Sequence, residues 1–314
     1  MTTLTTPVRR HWTAADIPDQ TGRTVIVTGA NSGLGHITAR ELARRGARVI
    51  LTARDPGRGR DALDRIRHDH PGAAVELRAL DLADLASVRA FAAGIDTPVD
   101  VLVNNAGIMM PPRRLTADGF ESQFGTNHLG HFALTGLLLE QLRAAPAARV
   151  VTVTSTLHKN GTIRFDDLHG ERSYNPRVFY AQSKFANVLF ALELDRRTRA
   201  AATPVTSLLA HPGYSATNLQ SAGPTGMMNL ILKITNRFVA QDAEMGALNQ
   251  LYAATAPDAE GGQFIGPDGR GESKGYPAIV RPASTAMKPE LAQRLWAISE
   301  RLTGVRYDLP GTRS

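Results

Sequence analysis

Residues 24–35 read TVIVTGANSGLG, and this stretch decides the fold. Thr24 to Thr28 is apolar enough on both faces to be a strand covered on both sides, and a helical stretch from Leu34 to Arg45 follows after a short glycine-rich turn. Each glycine of that turn has its own physical use. Gly29 can take positive φ, Gly33 lets a ligand approach the backbone, and Gly35 permits close packing of helix on strand. The helix N-terminus offers unpaired N–H groups to an anion. Three glycines alone carry little weight, but at a strand-to-helix junction they predict a dinucleotide-phosphate turn, with Asn31, Ser32 and Leu34 lining it beside Gly29, Gly33 and Gly35.

The same texture repeats outward. Arg48–Thr52, Val75–Ala79, Val99–Val103, Val150–Thr154 and Val205–Leu209 are apolar runs of strand length, and helical patterns over Gly59–His68, Leu85–Ala93, Gly119–Arg143 and Tyr180–Arg199 separate them. This alternation predicts an α/β protein, a single-domain Rossmann fold with one doubly wound parallel sheet of about seven strands and helices on both faces. Further on, the expected elements are a helix over Asp242–Ala254, a short strand near Gly262–Ile265, a Gly/Pro-rich loop through Pro282 and a last helix over Lys288–Leu302. Thr13 and Asp16 form a capping box ahead of the first strand. No linker separates two domains. Residues 1–314 therefore read as one domain with a substrate-covering insertion at about 217–240, rich in Gly, Met, Leu and Ile, and a C-terminal extension at about 266–314.

Composition narrows the class. Hydrophobic residues at 42% and charged residues at 21% are a globular balance. With 0 cysteines, a disulfide scaffold, a cysteine-held metal and a thiol nucleophile are excluded, and a cytoplasmic location is expected. The formal charge of +7 comes from 36 Lys+Arg against 29 Asp+Glu. Its densest stretch, Arg40 to Arg67, interleaves arginines with alanine, leucine and acidic residues at helical spacing, a solvated face rather than a nucleic-acid surface. No run approaches the roughly 18 apolar residues that span a bilayer, and the start of the chain lacks an apolar signal core. His128, His131, His158 and His211 have no HExxH or comparable spacing, so no metal site is expected.

Two further segments carry chemistry. The second strand ends Thr52-Ala53-Arg54; an acidic tip would bind a ribose 2′-OH, whereas an arginine accommodates a 2′-phosphate, so Arg54 predicts NADP(H). Asp55 is the remaining argument for NAD. Asp81-Leu82, after the third strand, is placed either to meet the adenine or to cap the next helix. Tyr180-Ala-Gln-Ser-Lys184 sets a phenol and an amine one helical turn apart on one face. Ser155 ends the fifth strand, at the carboxyl edge where open α/β sheets form their clefts, and Asn127 lies inside the fourth helix.

Taken together, these residues resemble the short-chain dehydrogenase/reductase family. The resemblance covers residues 22–218 through Thr28-Gly29-x-x-x-Gly33-x-Gly35, Asn104-Asn105-Ala106-Gly107, Asn127, Ser155, Tyr180-x-x-x-Lys184 and Pro212-Gly213. It is most similar to the branch containing retinol dehydrogenases, WW-domain oxidoreductases and protochlorophyllide reductases, through Thr126 to Phe132 (TNHLGHF), His211-Pro212-Gly213 and the long Ser155-to-Tyr180 spacing.

The resemblance implies roles. Tyr180 exchanges a proton with the substrate oxygen, Lys184 supplies positive charge and reaches the nicotinamide ribose, Ser155 hydrogen-bonds the substrate oxygen, and Asn127 holds a water. A free phenol titrates near about 10, so a nearby cation is needed for work near neutrality. Asn105, Ala106 and Gly107 would floor the adenosine side, and Pro212, Gly213 and Thr217 would touch the carboxamide or phosphates. The implied activity is NADP(H)-dependent interconversion of a carbonyl and an alcohol. Ile108, Met109, Met110, Leu157, His158, Tyr214 and Met227 to Phe238 are candidate pocket walls, which suggest a bulky, apolar small molecule. Reduction of a carbon–carbon double bond would use the same tyrosine and lysine, whereas a non-catalytic NADP(H) sensor predicts loss of Tyr180 or Lys184, and both are present. Helices carrying these residues often form dimer faces in the family, so a homo-oligomer is compatible with the resemblance.

Overall fold

The apolar runs fold as strands in a computed structural model that describes residues 11–213 and 242–309. They are β1 (Thr24–Val27), β2 (Arg48–Ala53), β3 (Val75–Ala79), β4 (Val101–Asn104), β5 (Arg149–Val153), β6 (Thr206–Ala210), β7 (Phe264–Pro267) and β8 (Pro277–Ile279). One sheet joins them in the order β3-β2-β1-β4-β5-β6-β7-β8. Only β8 is antiparallel. The strand order reverses between β1 and β4, which opens a crevice at their carboxyl ends.

Alternate residues supply the two cores. Val25, Val27, Val103, Val151 and Leu208 face one layer, which holds α1 (Gly33–Arg44), α2 (Pro56–Asp69) and α8 (Ala243–Thr255). Ile26, Leu102 and Val150 face the other, where α3 (Leu85–Ala93), α5 (Gly130–Leu137) and α7 (Pro176–Ala200) lie. Each such side chain contributes roughly 1.5–3 kcal/mol on burial, so a strand apolar on both faces has no stable alternative to the middle of a three-layer stack. From the C-terminal segment, Trp296 of α9 (Pro289–Thr303) and Tyr307 pack on Phe132, at ring separations of 5.1 and 5.0 Å. The capping box forms as read, with Asp16 accepting from Thr13 N at 2.8 Å.

The doubly wound sheet forms as read, with eight strands among the described residues where about seven were expected, and one helix is corrected. Pro277 begins the eighth, at the sheet edge, where a missing N–H is tolerated; the prolines and glycines around it had made the segment read as loop. The single helix over Gly119–Arg143 is interrupted: α4 (Ser122–Phe124) leads into a π-helical turn at Gly125–Leu129, then α5, then α6 (Leu139–Ala144) after a break at Leu138. Asn127 in the wide turn directs its amide at the backbone of Ile108, an interaction invisible to apolar periodicity. The insertion at about 217–240 lies outside the described residues, as do Tyr214, Thr217 and Met227 to Phe238.

Candidate active site

The turn after β1 has the backbone its glycines predict. Gly29 and Gly33 take φ of +65° and +57°. A Cβ on Gly35 would stand 2.5 Å from the Gly29 carbonyl oxygen and from Asn105 Nδ2, so α1 can start this close only with glycine there. Helices α2, α3, α7 and α8 are capped by the side chains of Asp55, Asp84, Asn175 and Asp242, whereas Ser32 makes no side-chain cap on α1. A left-handed glycine turn running into an uncapped helix start is a cradle for a pyrophosphate, and it fits a dinucleotide cofactor. Gln250 of α8 buttresses this cradle, donating to the Leu34 carbonyl at 3.3 Å and to the Thr38 hydroxyl. Arg65 reaches the Asn31 carbonyl at 3.4 Å.

On the ribose side, Asp55 spends its carboxylate on the first turn of α2, accepting from Arg58 N at 3.0 Å. That backbone hydrogen bond holds its carboxyl below the usual range. Arg54 is exposed beside it. Asp81 accepts from Ala83 N at 2.9 Å, and the Leu82 side chain packs in the core.

Behind the cradle runs a buried chain of hydrogen bonds. Asn105 N and Ala106 N both donate to Thr28 Oγ1 at 2.9 Å. Thr28 Oγ1 lies 2.9 Å from His131 Nε2, and His131 Nδ1 lies 3.0 Å from the Asn127 carbonyl oxygen. A carbonyl can only accept, so Nδ1 carries the hydrogen and Nε2 accepts from Thr28. Burial keeps this ring neutral, its pKa pushed down to about 4. One histidine thus ties the phosphate turn, the Asn104–Gly107 segment and the π-helical turn together.

The four proton-transfer candidates converge beyond it. Pro176 and the Asn175 cap start α7 and set Tyr180 and Lys184 one turn apart, both nearly buried at 4% and 3% exposure. Lys184 Nζ stands 5.8 Å from the Tyr180 ring centre and donates to the Val153 carbonyl at 3.2 Å, an oxygen also held by Asn187. Gly107 is squeezed between partners: a Cβ there would lie 3.1 Å from Asn127 Oδ1 and 3.5 Å from Lys184 Nζ. Burial pushes the Tyr180 phenol up to about 12, with a hydrogen bond from the Ser155 side chain pulling against it. Burial also pushes Lys184 down to about 8. Asn127 is clamped: Oδ1 accepts from Ile108 N at 2.8 Å, and Nδ2 donates to the Ile108 carbonyl at 3.0 Å and to Ser183 Oγ at 2.9 Å. Its first task is to fix the segment after β4.

That segment carries three of the wall candidates. Ile108, Met109, Met110 and Leu157 are half-buried. Met110 takes a left-handed φ of +54°, held by Gln123 Oε1, which accepts its N–H at 2.8 Å. Tyr174 in turn donates to the Pro111 carbonyl or to buried Glu121, each at 3.2 Å. His158, expected as a pocket wall, is fully buried instead. Its Nδ1 donates to the Ser155 carbonyl at 2.7 Å and its Nε2 accepts from Ala283 N at 3.2 Å, so it anchors Ser155 to the C-terminal segment. Gly213, with φ of +66°, donates its N–H to His211 Nδ1 at 3.1 Å. Gln123, His131 and Gln250 were not singled out as functional from sequence, and His158 only as a pocket wall; their buried polar bonds in the folded site reveal them.

Comparison with known proteins agrees with this geometry. Residues 23–226 match the family described as short chain dehydrogenase. Polyprenol dehydrogenase of Mus musculus is 44% identical over 302 residues, covering 92% of this chain and 86% of that protein. Retinol dehydrogenase 14 of Homo sapiens is 42% identical over 304 residues, covering 90% and 87%. A crystal structure of an uncharacterized protein from Mycobacterium Paratuberculosis superposes with a TM-score of 0.81 at 48% identity, covering 95% of this chain and 99% of that one. The chain therefore belongs to the short-chain dehydrogenase/reductase family, oxidoreductases that use a nicotinamide cofactor to interconvert alcohols and carbonyls.

Proposed function

We propose that the protein is an NADP(H)-dependent oxidoreductase that interconverts a carbonyl and an alcohol on a bulky, apolar small molecule, with Tyr180 as the proton donor and acceptor. The observation that carries this reading is the convergence of Tyr180, Ser155 and Lys184 on one buried point, against the glycine backbone at Gly107. The nicotinamide supplies or takes the hydride when bound. Tyr180 is protonated across the neutral range, the form needed to donate to a nascent alkoxide. Ser155 shares that hydrogen bond and orients the same oxygen. Lys184, charged below about 8, stabilises the phenolate left behind.

For the cofactor, Gly29, Asn31, Ser32, Gly33, Leu34 and Gly35 would hold the pyrophosphate, with Asn105, Ala106 and Gly107 beneath. Asp55 Oδ1 caps α2, and Arg54 stands exposed beside it, which supports a 2′-phosphate at this position. The substrate class is supported by the half-buried apolar wall at Ile108, Met109, Met110 and Leu157. No helix among the described residues is long and apolar enough to cross a membrane. The test is turnover of bulky ketones, aldehydes, quinones and conjugated alkenes followed by NADPH and by NADH absorbance, with product analysis. Alcohol formation with NADPH preferred is expected; saturation of a double bond or a preference for NADH would overturn the corresponding part of the reading.

A further inference from the structure

One carboxylate outside the catalytic group bridges two loops that border it. Glu272 lies in the turn Arg270–Glu272 between β7 and β8, where Gly271 and Glu272 take φ of +64° and +54°. The left-handed region is ordinary for glycine and disfavoured for glutamate, so the contacts around Glu272 must hold it there. Its Oε1 accepts from Lys159 Nζ at 2.6 Å, and its Oε2 lies 3.1 Å from His211 Nε2. Because Gly213 N–H donates to His211 Nδ1, that nitrogen is the acceptor and the ring hydrogen sits on Nε2, directed at Glu272. His211 is fully buried, and the Glu272 side chain is 20% exposed. The His211 hydrogen bond, aided by Lys159, holds the Glu272 carboxyl down to about 2, so it stays ionised.

The surrounding backbone is packed to match. A Cβ on Gly213 would stand 2.5 Å from the Ser273 carbonyl oxygen, and one on Gly266 would collide with His211 Nε2. Lys159 belongs to the turn Thr156–Asn160 directly after Ser155, and His211 begins the turn that follows β6. Three neighbouring strand ends therefore meet at one side chain.

We propose that Glu272 is a positioning residue: through His211 it fixes the turn at Pro212-Gly213 against the cofactor, and through Lys159 it fixes the turn that carries Ser155. The inference rests on the oxidoreductase reading for its kinetic arm, while cofactor affinity reads the His211 arm independently of turnover.

The experiment uses the full-length enzyme with Glu272→Ala, Glu272→Gln and Lys159→Met, measuring NADPH Kd by fluorescence titration, kcat for ketone reduction, and the thermal midpoint. Glu272→Ala is expected to weaken NADPH binding and lower kcat, each by about fivefold or more. Glu272→Gln keeps one carbonyl oxygen for His211 but turns its amide nitrogen toward Lys159, so kcat should fall while Kd stays within about twofold. Lys159→Met should behave like Glu272→Gln. The proposal is overturned if Glu272→Ala leaves both constants within about twofold of wild type, or if Glu272→Gln changes neither constant or loses both equally. Should the alanine variant fail to fold, the glutamine variant decides alone. A wild-type enzyme that binds NADPH but turns over no bulky carbonyl would instead sink the proposed substrate class, with the His211 arm still tested by Kd.

Discussion

The two sides of the cleft are built by different means. On the side of β1 and β4, position is set by backbone: left-handed glycines, an uncapped helix start, and amides of Asn105 and Ala106 gathered on Thr28. Farther along the cleft, at Met110 in the loop after β4 and at Ser155 after β5, it is set by side chains drawn from distant parts of the chain, with His158 pinning Ser155 to Ala283 and Gln123 holding Met110. The difference teaches where variation is tolerated. A turn built on left-handed glycines and a close helix approach is fixed by geometry that few residues can adopt, whereas a wall held by side chains can be re-aimed by changing its supports.

Four substitutions probe this contrast. After loss of Tyr180 itself, the largest effect is expected from Lys184→Met. Turnover should fall about 10²-fold or more, in line with the usual contribution of a proton-transfer group. The pH profile sharpens the point. In the wild type Lys184 loses its charge as pH rises through about 8 while Tyr180 stays protonated up to about 12, so reduction should decline above pH 8. The methionine variant should lack that decline, and a fall at the same pH would reassign it.

Next, Gly35→Ala attacks the backbone-built side, because its Cβ has no room beside Gly29 and Asn105. A stability loss of about 1–3 kcal/mol by urea denaturation is expected, with NADPH affinity reduced about tenfold or more. An alanine that binds normally would show that the close helix approach is dispensable. Arg54→Gln should cut the preference for NADPH over NADH about tenfold, measured as a ratio of kcat/KM values. Smallest is Gln123→Leu on the side-chain-built wall. Releasing Met110 from its left-handed backbone should change KM for bulky ketones by about threefold while leaving NADPH Kd alone. A change in Kd instead would mean the two sides are not independent.

Much of the cofactor side was legible in the sequence because its determinants are local. The apolar runs, the glycine turn and the Tyr180–Lys184 spacing each occupy a few consecutive residues, and the structure places them as read. The strand at Pro277–Ile279 was not legible, since edge pairing tolerates prolines that local reading takes for a loop. Nor was the π-helical turn, whose neighbours keep an apolar helical pattern while Asn127 answers to Ile108 across the fold. His158 looked like a pocket wall because it follows Ser155; its actual partner, Ala283, is far away in sequence. Glutamine and histidine in a sequence carry no mark of the buried bonds they will make, yet such bonds brace the glycine turn through Gln250 and His131 and hold Met110 and Ser155 through Gln123 and His158.

In the proposed reaction the Tyr180 phenol delivers the proton. The most direct test is single-turnover reduction of a bulky ketone by NADPH in wild type and Tyr180→Phe, with NADPH Kd measured on both. A rate lower by about 10³-fold with Kd within about twofold is the predicted result. A Tyr180→Phe rate within about tenfold of wild type would contradict it.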